Sequence, residues 1–287
     1  MNQMATTNAV QSAASFAPFP AWQWQIPEHF NIGVACTDRH LDSANSQAIA
    51  MIVEDDTLGT SQITFAELSQ RTSRFAQVLR DLGVSAGERV LIRLPNCLDY
   101  PTAFLGAMKT GAISVPTSTL LTAEEVAYLA KDSGAKVLVT DKAAWHSLRE
   151  SLTADTGLAF VLLSGEGEFE SLAGMHVLDL SDALEGIQQW QAPHPTKAND
   201  PAYLVYTSGT TGYPKGVLHA HRSLLGRMPA SQYWFDFSPN GDRIMHSGKF
   251  NWTYVLGTGL MDPLYHGKTV IVHEGKNDAN TWPRLIA

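Results

Sequence analysis

An α/β fold, with mostly parallel sheets and helices on both faces, is predicted by three features of the sequence. Helix-like and strand-like stretches alternate between residues 63 and 140. The helical stretches open on capping boxes and close on glycine. The strand-like stretches are short, continuous apolar runs, as expected of strands covered on both faces. Alternation at this rhythm implies right-handed crossovers and a parallel sheet.

The elements follow in order. Thr64 and Glu67 form a capping box, and Phe65, Leu68, Phe75, Leu79 and Leu82 recur at helical spacing until Gly83. Val90-Leu91-Ile92 reads as a buried strand closed by Pro95-Asn96. A second helix is expected over about 98–109, ending at Gly111, and a short strand over 112–115, ended by Pro116. Thr122 and Glu125 make another capping box, Val126 and Leu129 face inward, and Gly134 precedes a strand over 136–140. Further strands are expected at 160–163 and 202–206.

The chain has 287 residues, of which 44% are hydrophobic and 17% charged, a globular composition that excludes disordered, collagen-like and coiled-coil classes. Twenty basic against 28 acidic side chains give −8, which disfavours a nucleic-acid partner. No apolar run approaches membrane-spanning length. Cys36 and Cys97 form no C-x-x-C pair. Residues 1–20 carry no charge and resemble neither a secretory signal nor a transit peptide, so a cytoplasmic location is expected. The expected division is a mobile tail over 1–26, a first α/β subdomain over 27–190, a polar Pro-rich linker over 191–201, and the start of a second α/β subdomain over 202–287.

Directly after the strand at 202–206 come Thr207, Ser208, Gly209, Thr210, Thr211, Gly212, Tyr213, Pro214, Lys215 and Gly216. Glycines let backbone amides approach an anion, hydroxyls add donors, and the lysine adds positive charge. These are the requirements for wrapping a triphosphate. Pro214 before Lys215 and Gly216 after it exclude a Walker loop, and the glycine spacing excludes a dinucleotide fingerprint. A plain surface turn would not account for four hydroxyls and a lysine after a buried strand.

Residues 206–216 (YTSGTTGYPKG) resemble the signature loop of the adenylate-forming superfamily, which includes acyl- and aryl-CoA synthetases, adenylation domains and luciferases. ITFAEL (63–68) and PNCLDYPTAFLGAMKTGAISVP (95–116) extend the resemblance, which covers about residues 27–287. It implies the N-terminal part of that fold and a two-step reaction. A carboxylate attacks the α-phosphate of ATP, giving an acyl-adenylate and pyrophosphate; coenzyme A then displaces AMP. The resemblance places Thr207 to Gly212 around the β- and γ-phosphates. It makes Lys215, on a mobile loop, and Thr210 the catalytic groups. It implies ATP, Mg²⁺ and coenzyme A, with a small-molecule carboxylic acid as the other partner and a homodimer left open.

Residues 249–267 fall where the family places its acyl-substrate helix, and their pattern resembles benzoate-type aryl-CoA ligases. Trp252 instead resembles acetyl- and medium-chain acyl-CoA synthetases. Lys249, Trp252, Tyr254, Val255 and Gly259 are the candidate substrate-binding residues. An aromatic wall beside a glycine suits a flat or medium-length apolar acid. Pocket and core remain equally open for these aromatics, except that the resemblance tips Tyr254 towards the pocket. Lys249 and His246 flank that region, with a structural and a substrate-carboxylate role both open. No carboxylate lies between Lys249 and Leu260, which disfavours a substrate amine. His219 and His221 make a poor metal pair and read as surface or supporting groups; no metal ligand is assigned.

The resemblance further implies that the Mg²⁺ carboxylate, the ribose-binding Asp and the small C-terminal domain lie beyond Ala287. Asp278 reads as an N-cap before an apolar face of Trp282, Leu285 and Ile286, as though the chain were cut inside an element. The functional expectation is an ATP-dependent ligase of an aromatic or medium-chain acid. An amino-acid adenylation domain and a non-catalytic, ligand-binding fragment are the alternatives.

Overall fold

The structure is a computed structural model that describes residues 22–207, 213–238 and 241–286. In chain order its main elements are α1 (Ile32–Cys36), β1 (Ile49–Asp55), β2 (Gly59–Thr64), α2 (Phe65–Asp81), β3 (Arg89–Arg93), α3 (Asp99–Lys109) and β4 (Ile113–Pro116). There follow α4 (Ala123–Ser133), β5 (Ala135–Asp141), β6 (Phe160–Ser164), β7 (His176–Asp179), β8 (Pro201–Thr207), β9 (Lys215–Ala220), β10 (Arg243–Met245) and β11 (Thr269–Glu274).

Local chemistry accounts for the helix boundaries. Both expected capping boxes form: Thr64 with Glu67 opens α2, and Thr122 with Glu125 opens α4. Each satisfies two backbone donors that a helix start leaves unpaired. The helices stop at Gly83 and Gly134, whose φ values of 72° and 60° suit a residue without a β-carbon.

The larger sheet has the order β7-β6-β5-β3-β4-β8-β9, parallel throughout except for the antiparallel β8–β9 pair. Val90 and Ile92 of β3, with Val137 and Val139 of β5, join the core built on α2 and α3. Leu91 and Leu138 point to the opposite face and meet Val126, Leu129 and Trp145. Alternate residues therefore bury opposite faces, as the apolar runs require.

The smaller sheet has the order β10-β11-β1-β2, with β1 parallel to β11 and antiparallel to β2. Both sheets draw strands from either side of 191–201. The division expected at that linker is therefore not followed by the sheets. Strand pairing overrides the composition signal: Pro195 and Thr196 accept from His29 and Phe30, and Ala198 donates to Glu28, tying the segment down. Of the expected tail, only 22–26 is described; there Trp22 packs edge-on against Trp24 and Tyr233, with centroids 5.8 and 6.1 Å apart.

No helix among the described residues is long and apolar enough to cross a membrane. The chain ends in a helix over Thr281–Ile286, before which Asp278 Oδ1 accepts from the amides of Asn280 and Thr281.

Candidate functional site

In an open parallel sheet, ligands bind outside the carboxyl ends of the strands, where the strand order reverses. Here the order runs one way from β3 to β5 and the other way to β4 and β8. The loop leaving β8 at Thr207 therefore emerges on the appropriate edge. Arg93, at the carboxyl end of β3, is buried and donates to the carbonyls of Thr119 and Leu121.

Thr207 pairs with Lys215 across the β8–β9 hairpin, and its hydroxyl lies 3.5 Å from the Lys215 carbonyl. The sequence placed Lys215 on a mobile loop; the structure makes it the first residue of β9, held by backbone pairing. Its side chain is exposed, and Nζ has no partner among the described residues. Ser208, Gly209, Thr210, Thr211 and Gly212 lie outside the described residues.

Both neighbours of this pair lean on α4. The Tyr206 hydroxyl donates to Asp132 Oδ2 at 2.6 Å, and Tyr213 stacks on Tyr128 with centroids 4.9 Å apart. A hollow of about 430 Å³ lies between α4 and Tyr213-Pro214. Further along the hairpin, the His219 ring stacks on Tyr203 at 4.5 Å. His221 is not a surface group: it is fully buried, and its Nδ1 accepts from the Ile32 amide at 3.1 Å. That contact fixes the proton on Nε2, and burial pushes its pKa down to about 4. Among the described residues no three His, Cys, Asp or Glu side chains are grouped so as to hold a metal ion.

The expected acyl helix is interrupted. It runs as Thr253–Val255, then a π-helical stretch over Leu256–Met261, then Asp262–Tyr265. The Arg227 guanidinium lies where a β-carbon on Gly257 would be, 2.3 Å from its Cζ, so only glycine admits it. Arg227 holds the fully buried Asp262 through three bonds, Nε to Oδ1 at 2.9 Å and to Oδ2 at 3.1 Å, and Nη2 to Oδ2 at 2.8 Å. Such a widened turn re-aims the side chains around it.

Three of the five substrate candidates come together. Val255 is buried, its Cγ1 lies 3.1 Å from where Gly259 would carry a β-carbon, and His246 touches the same spot. Tyr254 meets His246 edge-on at 5.7 Å and faces Trp234 at 6.2 Å. His246 Nδ1 accepts from the Gly248 amide, and burial lowers its pKa. Trp252 stands apart as the N-cap residue, 69% exposed. Lys249 is paired with Glu274 at 2.5 Å.

Sequence reasoning missed Asn96 and Glu274. Asn96 donates to the Gly248 carbonyl and accepts from the Phe250 amide, both at 3.0 Å, while its own amide reaches Glu274 at 3.2 Å. Together they fix the turn carrying His246 and Lys249. The only signal was Pro95-Asn96, which reads as an ordinary turn. Tyr128 and Asp132 were also missed, because a half-buried tyrosine and an exposed aspartate on a helix carry no mark of a site.

Comparison with known proteins shows the family. Residues 40–287 match the family model described as AMP-binding enzyme. An acetyl-coenzyme A synthetase of Rhodobacter capsulatus is 32% identical over 88% of this chain and 40% of its own length. A benzoate–CoA ligase of Thauera aromatica is 30% identical over 91% of this chain and 47% of its own. A crystal structure of a Brucella canis acyl-CoA synthetase superposes with a TM-score of 0.79 at 25% identity, covering 90% of this chain and 45% of that one. The chain thus spans less than half the length of these proteins. With a family match over residues 40–287, the chain belongs to the AMP-binding enzymes.

Proposed function

We propose that the protein works as an ATP-dependent, AMP-forming acid–CoA ligase whose acid is an aromatic or medium-chain carboxylate. The observation that carries this reading is Lys215, exposed and unpaired among the described residues, at the rim where the phosphate loop leaves β8. The relatives named as acetyl-coenzyme A synthetase and benzoate–CoA ligase support the acid–CoA class.

In the first step an acid carboxylate oxygen bonds to the α-phosphorus of ATP, and pyrophosphate leaves with the electron pair. In the second the coenzyme A thiolate bonds to the acyl carbon, and AMP leaves. Both steps bring anions together, so positioning and charge neutralisation dominate. Lys215 supplies positive charge to the departing pyrophosphate. Thr207, Ser208, Thr210 and Thr211 supply hydroxyls, and Gly209 and Gly212 supply backbone amides. Mg²⁺ arrives with the nucleotide.

Tyr254, Val255 and Gly259, with His246, form the wall against which the acid lies. Lys249, its charge offset by Glu274, orders the turn beneath. A medium-sized apolar acid fits such a wall.

The test measures MgATP binding by calorimetry and pyrophosphate release with benzoate and hexanoate, each with and without coenzyme A. MgATP binding and release dependent on either acid are expected. Absence of MgATP binding overturns the reading. Faster hydroxamate formation with amino acids than with either acid would transfer the protein to amino-acid activation.

A further inference from the structure

Lys215 Nζ has no hydrogen-bond or ion-pair partner among the described residues, so its place at the rim is set by its backbone pairing with Thr207 and by what holds the residues next to that pair. Two of them reach a single helix face. Tyr206 precedes Thr207 and bonds Asp132, while Tyr213 precedes Pro214-Lys215 and stacks on Tyr128, the planes 25° apart. Tyr128 and Asp132 are four residues apart on α4, so they stand one above the other.

Helix α4 is a rigid base for such contacts. Its start is closed by the Thr122–Glu125 capping box, and Val126, Leu129 and Ala130 are buried. The contacts sit at the edge of the core: Tyr128 and Tyr206 pack against it half-buried, while Tyr213 is 73% exposed and Asp132 is exposed. The link from Tyr213 to Lys215 is stiff, because Pro214 has a locked φ and also restricts the residue before it. A shift of Tyr213 is therefore passed to Lys215.

We propose that Tyr128 and Asp132 are positioning residues, a two-point clamp on α4 that sets the Thr207–Lys215 pair at the rim through Tyr213 and Tyr206. The role for nucleotide rests on the function proposed above; the clamp itself does not. Burial and the Asp132 carboxylate both raise the Tyr206 pKa, which keeps its hydroxyl protonated as the donor this contact needs.

Two measurements on the chain test this. The first is native trypsin cleavage after Lys215, with the cut after buried Lys109 and the urea midpoint reporting global opening. Tyr128→Ala and Asp132→Ala should each speed the Lys215 cut about fivefold, the equivalent of one hydrogen bond or aromatic pair. Tyr128→Phe should match wild type, and because Tyr128 also packs against the core, the Lys109 cut and the urea midpoint should move in the alanine variants but less than the Lys215 cut. An unchanged Lys215 cut, or one that rises only with the Lys109 cut, overturns the clamp. The second is MgATP affinity. Tyr128→Ala should weaken it about fivefold in wild type and not at all on Lys215→Ala. Equal weakening in both backgrounds refutes action through Lys215. Should wild type bind no MgATP, the functional proposal falls, and the trypsin result still decides the clamp.

Discussion

Two lysines of this chain occupy opposite environments. Where α1, α2 and α3 meet, Lys109 is fully buried, with Nζ on Asp38 Oδ1 at 2.5 Å, Ser73 Oγ at 3.0 Å and the Ser69 carbonyl at 3.3 Å. At the sheet rim, Lys215 is exposed with no side-chain partner among the described residues. An ammonium has three donors. At Lys109 all are used within the protein, so its charge holds helices together; at Lys215 they are available to a ligand. Burial lowers the Lys109 pKa while Asp38 opposes the shift, as expected for a charge kept buried only because it is paired.

Breaking the buried side should give the largest effect. Lys109→Met keeps the length but removes the donor to the Ser73 hydroxyl and leaves Asp38 without its cation. Because Asp38 retains some solvent, the cost should fall near the low end for a broken buried pair, about 3 kcal/mol. A urea midpoint shift at constant m measures it. A loss below about 1 kcal/mol would show that the network is replaceable.

The exposed side should respond in the opposite way. Lys215→Ala should leave the urea midpoint within about 0.5 kcal/mol of wild type. It should raise the barrier to adenylate formation in the active ligase by about 2–4 kcal/mol, as for other preorganised charges. Pyrophosphate release under single-turnover conditions checks it. An unchanged rate removes Lys215 from the catalytic groups.

The unequal legibility of these two regions in the sequence has a physical origin. Capping boxes, glycine stops and apolar strands depend on residues close together in sequence, so α2, α4, β3, β5 and β8 were readable. Strands β1 and β11 pair across more than two hundred residues, Met51 with Val270 for example, and local pattern carries no trace of that. The linker signal at 191–201 was real in composition but misleading about the sheets, since β8 continues the first sheet. At the site, the loop was legible because its chemistry is concentrated in one run. Tyr128 and Asp132 beside it, and Asn96 and Glu274 at the turn carrying His246, are scattered residues with no local pattern until the fold brings them together. The burial of His221 was illegible for the same reason: its partner, the Ile32 amide, is 189 residues away.

His221 stitches the two regions together, and pH should expose it. Its pKa is about 4 in the folded chain against 6.5 for the ordinary group. The folded state therefore binds fewer protons, and this contribution is fully present above pH 6.5 and lost as pH falls through 4. Between pH 7 and 5 the loss should be about 2 kcal/mol. His221→Asn, whose side-chain oxygen can accept from the Ile32 amide in place of Nδ1, should flatten that part of the profile. Parallel pH profiles for wild type and variant would contradict the assignment.

The smallest stability effect should come from the most conspicuous aromatic. Trp252 is 69% exposed at the N-cap of the interrupted helix and makes no capping bond through its side chain. A large ring left in water contributes little to folding, so Trp252→Ala should change stability by no more than about 0.5 kcal/mol. Val255, three residues further along, is 5% exposed; Val255→Ala should cost about 1–2 kcal/mol through the lost methyl groups. If the exposed ring serves the acid, Trp252→Ala should alter the benzoate-to-hexanoate preference while leaving the urea midpoint in place. A midpoint loss above about 1.5 kcal/mol would place Trp252 with the packed region, and the contrast between buried hub and open rim would then stop short of this helix.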